Sequence, residues 1–190
     1  MKLRKIWDFI WNNNSLASWL VTLVLAMLIV KFIFFPLAGL IFSTQFPLVA
    51  VVSSSMEHNG ASFDEWWEAN KGWYEEREIT EEEFREYTFK NGFNKGDVMV
   101  VFGTPFEKLK KGEVIIFQGG IDTPIIHRVT FFNGTKAQTK GDNNSRSDPT
   151  HGEENITEER YFGRAVLRIP YAGWLKIIMV EAFNSFKRGF

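Results

Sequence analysis

The chain has no cysteine. That excludes thiol catalysis, a disulfide framework and zinc held by thiolates. It does not fix the compartment, because an exported domain can fold without disulfides. An excess of one charge is also lacking: 22 Lys and Arg against 23 Asp and Glu leave a net charge of −1. Bulk electrostatics therefore point to no nucleic-acid partner. There is no Gly-rich phosphate loop and no internal repeat. Histidine is scarce, with three in 190 residues, scattered and without metal-ligand helper spacing. Neither a metal nor a cofactor is implied.

Apolar residues are plentiful, at 45% hydrophobic and 16% aromatic, enough at this length for one domain plus an anchor. The run LASWLVTLVLAMLIV (16–30) carries no charge, Lys31 interrupts it, and FIFFPLAGLIF continues to Phe42. A helix needs about 20 apolar residues to cross a bilayer. Leu16 to about Phe35 supplies them, with Lys31 near one end, where its stem can snorkel to the interface. Pro36 and Gly39 then predict a bend or a change of structure. A secretory signal peptide is the competing reading, but the run is long for one and no small-residue cleavage site follows. Basic flanks set direction. Lys2, Arg4 and Lys5 precede the run, and after Lys31 the next basic residue is Lys71. The N-terminus is expected in the cytoplasm, with Trp7, Trp11 and Trp19 at that interface and the rest of the chain outside. The expected layout is a flank (1–15), a transmembrane helix with its exit segment (16–42) and an extracytoplasmic domain (43–190).

Within that domain, β-branched apolar runs recur between Gly and Pro signals: 47–52, 97–103, 113–119, 124–132 and 160–169. These read as strands, with GTPFEKLKKGE and FNGTK as turns. The expected fold is mainly β, a partly closed barrel or sandwich. Residues 57–95 interrupt the strands with an acidic, Trp-rich insertion. Thr80 with Glu83 resembles a capping box, so a short helix should start there. A solvated insertion and a substrate-steering lid both fit the segment. The C-terminal stretch PYAGWLKIIMVEAFNSFKRGF has the makings of an amphipathic helix, packed on the domain or lying in the membrane interface.

VVSSSM (51–56) follows the anchor closely. A serine hydroxyl is a weak nucleophile until a base takes its proton. His58 and His151 read as surface histidines, whereas His127 sits inside the strand-like IIHRV. Asp142 and Asp148 follow in the turn-rich KGDNNSRSD. As a plain loop these form Asx-turns. As a site, one carboxylate receives the imidazole N–H and stabilises the imidazolium. Sequence order permits Ser…His…Asp.

Taken in order, these blocks resemble type I signal peptidases of the archaeal and endoplasmic-reticulum branch. The resemblance rests on VVSSSM, GDVMVV (96–101), GEVIIF (112–117), IIHRV (125–129), KGDNNSRSD (140–148) and GRAVLRIPY (163–171), behind an N-terminal anchor. It implies Ser55 as nucleophile, His127 as general base, Asp142 and Asp148 at the family's acidic positions, and Ser53 as a hydroxyl assisting the Ser55 N–H in an oxyanion hole. It implies a serine endopeptidase of the cell or endoplasmic-reticulum membrane, with preprotein signal peptides as substrates and membrane lipid and the translocation machinery as partners. It also implies activity that falls in acid, because the base must be neutral. Two positions depart from the pattern: Ser54 stands where the family usually has Gly, and His58 where it often has Pro. His58 is thereby a second-choice base. The rival readings are a membrane-anchored β-domain that only binds a partner, and a peptidase restricted to a narrow class of surface proteins.

Overall fold

A computed structural model describes residues 2–120 and 123–180. The chain divides into two compact units, Met1–Ile41 and Phe42–Phe190. In the first, helix α1 (Lys2–Trp11) precedes α2 (Leu16–Phe42). Ser15 caps α2 by accepting from the Ser18 N–H. The 27 residues of α2, mean hydropathy 2.6 over its most apolar stretch, form a helix long and apolar enough to cross a membrane. At 1.5 Å per residue it reaches about 40 Å. Pro36 does not end it. Proline has no N–H for the preceding turn, and residues Val30–Phe34 just ahead of it widen into π-type hydrogen bonding before the α-helix resumes. The change of structure expected there is a change of hydrogen-bond register.

The second unit is built on a six-stranded antiparallel sheet of order β1-β2-β6-β3-β4-β5. Its strands are β1 (Leu48–Ala50), β2 (Val98–Phe102), β3 (Val114–Gln118), β4 (Pro124–Phe132), β5 (Ala137–Lys140) and β6 (Tyr161–Ile169). Five fall on the apolar runs, and β5 lies where turn and loop were expected. Successive side chains of a strand point to opposite faces, and both faces here are covered. Val114 and Ile116 of β3 join Val51, Met56, Met99 and Val101, while Ile115 and Phe117 join Phe106, Leu109 and Val129. This is why β3, VIIFQ, reads as a continuous apolar run instead of alternating.

Two expectations are corrected. The sheet is not closed: β1 and β5 each have one neighbour among the described residues, so there is no barrel. The chain is also mixed α/β, with about 39% helix, rather than mainly β. Most of that helix lies in α1 and α2; the insertion adds two shorter helices and folds around its own core. α3 (Phe63–Glu75) starts at a full capping box, Ser62 with Glu65, and α4 (Glu81–Arg85) starts at Thr80. Phe63, Trp66, Trp67, Tyr74, Ile79 and Phe84 form a buried aromatic cluster between them. A helix covers residues 174–180, and the remainder of the C-terminal stretch lies outside the described residues.

Candidate active site

β1 ends at Ala50 and its line continues one step, with Val51 N–H donating to Asp97 O at 2.8 Å. The chain then leaves the sheet. Ser53 and Ser54 are exposed, Ser55 is half-buried, and Met56 drops into the core. Met56 is held there by its own packing and by the Phe93 N–H, 3.0 Å from its carbonyl. The side chain after the serines is therefore the peg that fixes their turn.

His127 lies on β4, paired with Ile115 of β3. Its Nε2 is 2.9 Å from Ser55 Oγ. Ser53 Oγ is 3.1 Å from the same Ser55 oxygen. On the far side of the ring, Nδ1 lies 2.7 Å from Glu153 Oε1. Neither of these two atoms has a partner aligned as a hydrogen bond, so the two groups are in close contact and become an ion pair only when the imidazole is protonated. Glu153 is fully buried, and its other oxygen accepts the Asp148 backbone N–H at 2.9 Å. A neutral imidazole in this position can take the Ser55 proton, and the Glu153 carboxylate stabilises the imidazolium that results.

The two aspartates expected beside the imidazole are committed elsewhere. Asp142 receives two hydrogen bonds from Arg128, Nε at 2.9 Å and Nη2 at 2.7 Å. Burial pushes its carboxyl up, but the Arg128 guanidinium and the His58 contact outweigh this and hold it well below the usual carboxylate range. Asp148 turns its side chain to the 149–151 turn, accepting from Thr150 N–H at 2.8 Å and Thr150 Oγ1 at 2.6 Å, with His151 Nδ1 at 2.6 Å. The Thr150 hydroxyl, then its N–H, hold that carboxyl down at about 2. The acid at the histidine is thus Glu153, which the sequence reading did not single out. Asp148 acts on it only through its backbone.

His58 is buried and not on the surface. It stacks on Trp66 with ring centroids 3.9 Å apart and faces Asp142 Oδ2 at 3.4 Å. Its ring meets the Arg128–Asp142 pair, while the imidazole at Ser55 is that of His127. His151 is half-exposed, in contact with Asp148.

The loop after β5 locks onto the serine turn. Asn143 N–H donates to Ser55 O at 2.8 Å and Asn143 Nδ2 to Ser54 O at 3.1 Å. Gly141 leaves no room for a side chain, because a Cβ there would stand 2.7 Å from Ser55 O and 2.9 Å from His127 Nε2. The Asp of the GDVMVV block, Asp97, is structural. It is fully buried and ties Asn94 N–H, Tyr171 N–H and Arg168 together.

Ser55, His127 and Glu153 stand at one wall of an open cleft of about 300 Å³, whose other walls include Val49, Val52, Pro124, Ile125 and Ile126. Its apolar walls suit an apolar ligand surface. Among the described residues no cluster of three His, Asp or Glu could hold a metal ion. No protein-family model matches the chain, and no curated protein matches it.

Proposed function

We propose that this chain is a membrane-anchored serine endopeptidase that removes signal peptides from secretory preproteins, in the manner of the type I signal peptidases its motifs resemble. One observation carries the reading. A serine hydroxyl lies 2.9 Å from a buried imidazole whose far nitrogen meets a buried carboxylate, at the wall of an apolar cleft. The long apolar helix close before Ser55 supports action on substrates that reach the membrane.

His127 Nε2 takes the Ser55 proton as Oγ attacks the scissile carbonyl carbon. The carbonyl oxygen becomes an oxyanion, near which the Ser53 hydroxyl and the Ser55 N–H are the available donors. The imidazolium gives its proton to the leaving amine, the carbon–nitrogen bond breaks, and an acyl-enzyme remains on Ser55. Water, deprotonated by His127, then releases the signal peptide and restores the hydroxyl. The residues upstream of the cut lie in the apolar cleft. The N-terminus is cytoplasmic, following Lys2, Arg4 and Lys5, and the catalytic unit faces the opposite side, where membrane lipid and the translocation machinery are its neighbours.

The test is cleavage of a preprotein in membranes by wild type, Ser55→Ala and His127→Ala. The expected result is cutting by wild type and none by either folded variant. Cutting by Ser55→Ala at the wild-type rate rejects the nucleophile. No cutting of any preprotein class by wild type favours a membrane-anchored binding domain instead.

A further inference from the structure

The insertion at 57–95 reaches the serine from behind. The last turn of its helix α3 carries Tyr74, which has no exposed surface and whose hydroxyl accepts from Lys140 Nζ at 3.2 Å. Lys140 is itself 1% exposed, an unusual place for an ammonium. Its other hydrogen-bond partners are backbone carbonyls of the loop that follows it, Gly141 O at 3.0 Å and Asp142 O at 3.4 Å, and it stands over the Trp73 and Tyr74 rings. The same insertion supplies Thr88 O and Phe89 O, each 2.8 Å from Arg128, the residue that clamps the Asp142 carboxylate. Arg128 and Lys140 are direct cross-strand partners between β4 and β5. Two like charges so placed repel, and the Asp142 carboxylate facing Arg128 and the Tyr74 hydroxyl is what makes the arrangement tolerable. The loop so held is the one whose Asn143 grips Ser54 and Ser55.

We propose that Tyr74 and Lys140 are positioning residues for Ser55: the insertion, through these two side chains, fixes the Gly141–Asn143 backbone that holds the serine turn against His127. The inference rests on the peptidase reading for its kinetic consequence, and on the contacts alone for its structural one. Neither side chain is a catalytic residue, because neither touches Ser55 Oγ or the imidazole in the described contacts. The insertion then has a different role from a lid or a solvated appendage. It is the rear support of the nucleophile.

The experiment uses the full chain in detergent, as wild type, Tyr74→Phe, Lys140→Met and the double variant. Two quantities are read: kcat and KM on a preprotein, and amide hydrogen exchange of the 141–144 segment against the central strands. Displacing a reacting group by about 1 Å costs on the order of a hundredfold, so a partial loosening should show as roughly tenfold in kcat for Lys140→Met. Tyr74→Phe should lose less, because Lys140 keeps its carbonyl partners. KM should not change, and the double variant should lose less than the product of the two single losses. Exchange at 141–144 should quicken while the central strands stay protected. Unchanged kcat in both single variants with wild type active overturns the inference. So does a loss that appears in KM alone. If wild type cuts nothing, the peptidase reading has failed by itself. The exchange data then decide the positioning role, and unaltered exchange at 141–144 overturns it.

Discussion

At the scale of single residues, the serine and the histidine that the structure brings together were legible, and the glutamate beside them was not. Ser55 and His127 stand in short blocks, VVSSSM and IIHRV, whose neighbours explain them: Met56 pegs the turn and the β4 pairing aims the imidazole. Glu153 has no such signature. It is one of two adjacent glutamates, and the turn at Gly152, with φ +68°, sends Glu153 inward and leaves Glu154 exposed. Only tertiary structure makes that choice. A sharp contrast follows. Glu153→Gln should keep the fold and lower kcat by roughly 10²–10⁴, by analogy with the loss on neutralising a triad acid. Asp148→Asn, which keeps the backbone N–H to Glu153, should stay within about threefold of wild type in the same assay, far short of a triad loss. Equal losses in the two variants would reject Glu153 as the histidine's partner. Asp142 belongs to stability. Asp142→Asn leaves Arg128 without its counter-charge in a site with no exposed surface. Breaking a buried pair in this way costs about 3–5 kcal/mol, to be read as a lower urea midpoint at unchanged slope. Gly141→Ala should be folded and inactive, because its methyl needs the space between Ser55 O and His127 Nε2.

At the scale of elements, β-branched apolar runs bounded by Gly and Pro gave five strands, while β5 was missed. AQTK has no β-branched apolar residue, and its burial comes from pairing with β4 and from Ile156, which bridges Ala137. The insertion was half legible. Thr80 marked the start of α4, but the 13-residue α3 was hidden by its many acidic residues. The positions of Phe63, Trp66, Trp67 and Tyr74 do fall at helical spacing (i, i+3, i+4, i+11), and all four are buried. That aromatic face is the core of the insertion, so Trp67→Ala, at 1% exposure, should cost about 3–5 kcal/mol. It should also quicken proteolysis within 57–95, measured by limited digestion. In α2 the π-widened turn ahead of Pro36 shows how proline was accommodated where a bend or a change of structure was expected.

At the scale of the whole molecule, the two units each hold together by their own contacts, and the core clusters found among the described residues lie in Phe42–Phe190. A chain of residues 42–190 should therefore fold alone, with a cooperative melt by circular dichroism, and cut a soluble peptide. Its cutting of membrane-inserted preprotein should drop. Buried charge also sets a pH signature on stability. Burial, offset only in part by Asp142, brings Lys140 from its ordinary 10.5 down to about 8. Between about pH 8 and 10 the unfolded chain keeps a proton that the folded chain has released. Stability then rises with pH, by at most about 1.4 kcal/mol per unit from this group. Above pH 10 Tyr74, pushed up chiefly by burial, acts in the opposite sense. Urea unfolding across pH 7.5–9.5 should show the rise in wild type and its absence in Lys140→Met. The strand order has a consequence in time. β6 is the last strand made among the described residues, yet it lies between β2 and β3 and joins the two halves of the sheet. Ser55, His127 and Glu153 have all left the ribosome before Tyr161 does. A nascent chain halted there owns every reacting group but lacks the seam that aligns them. On the peptidase reading, birth order is thus a built-in delay, and cutting waits until β6 has been made and has joined β2 to β3.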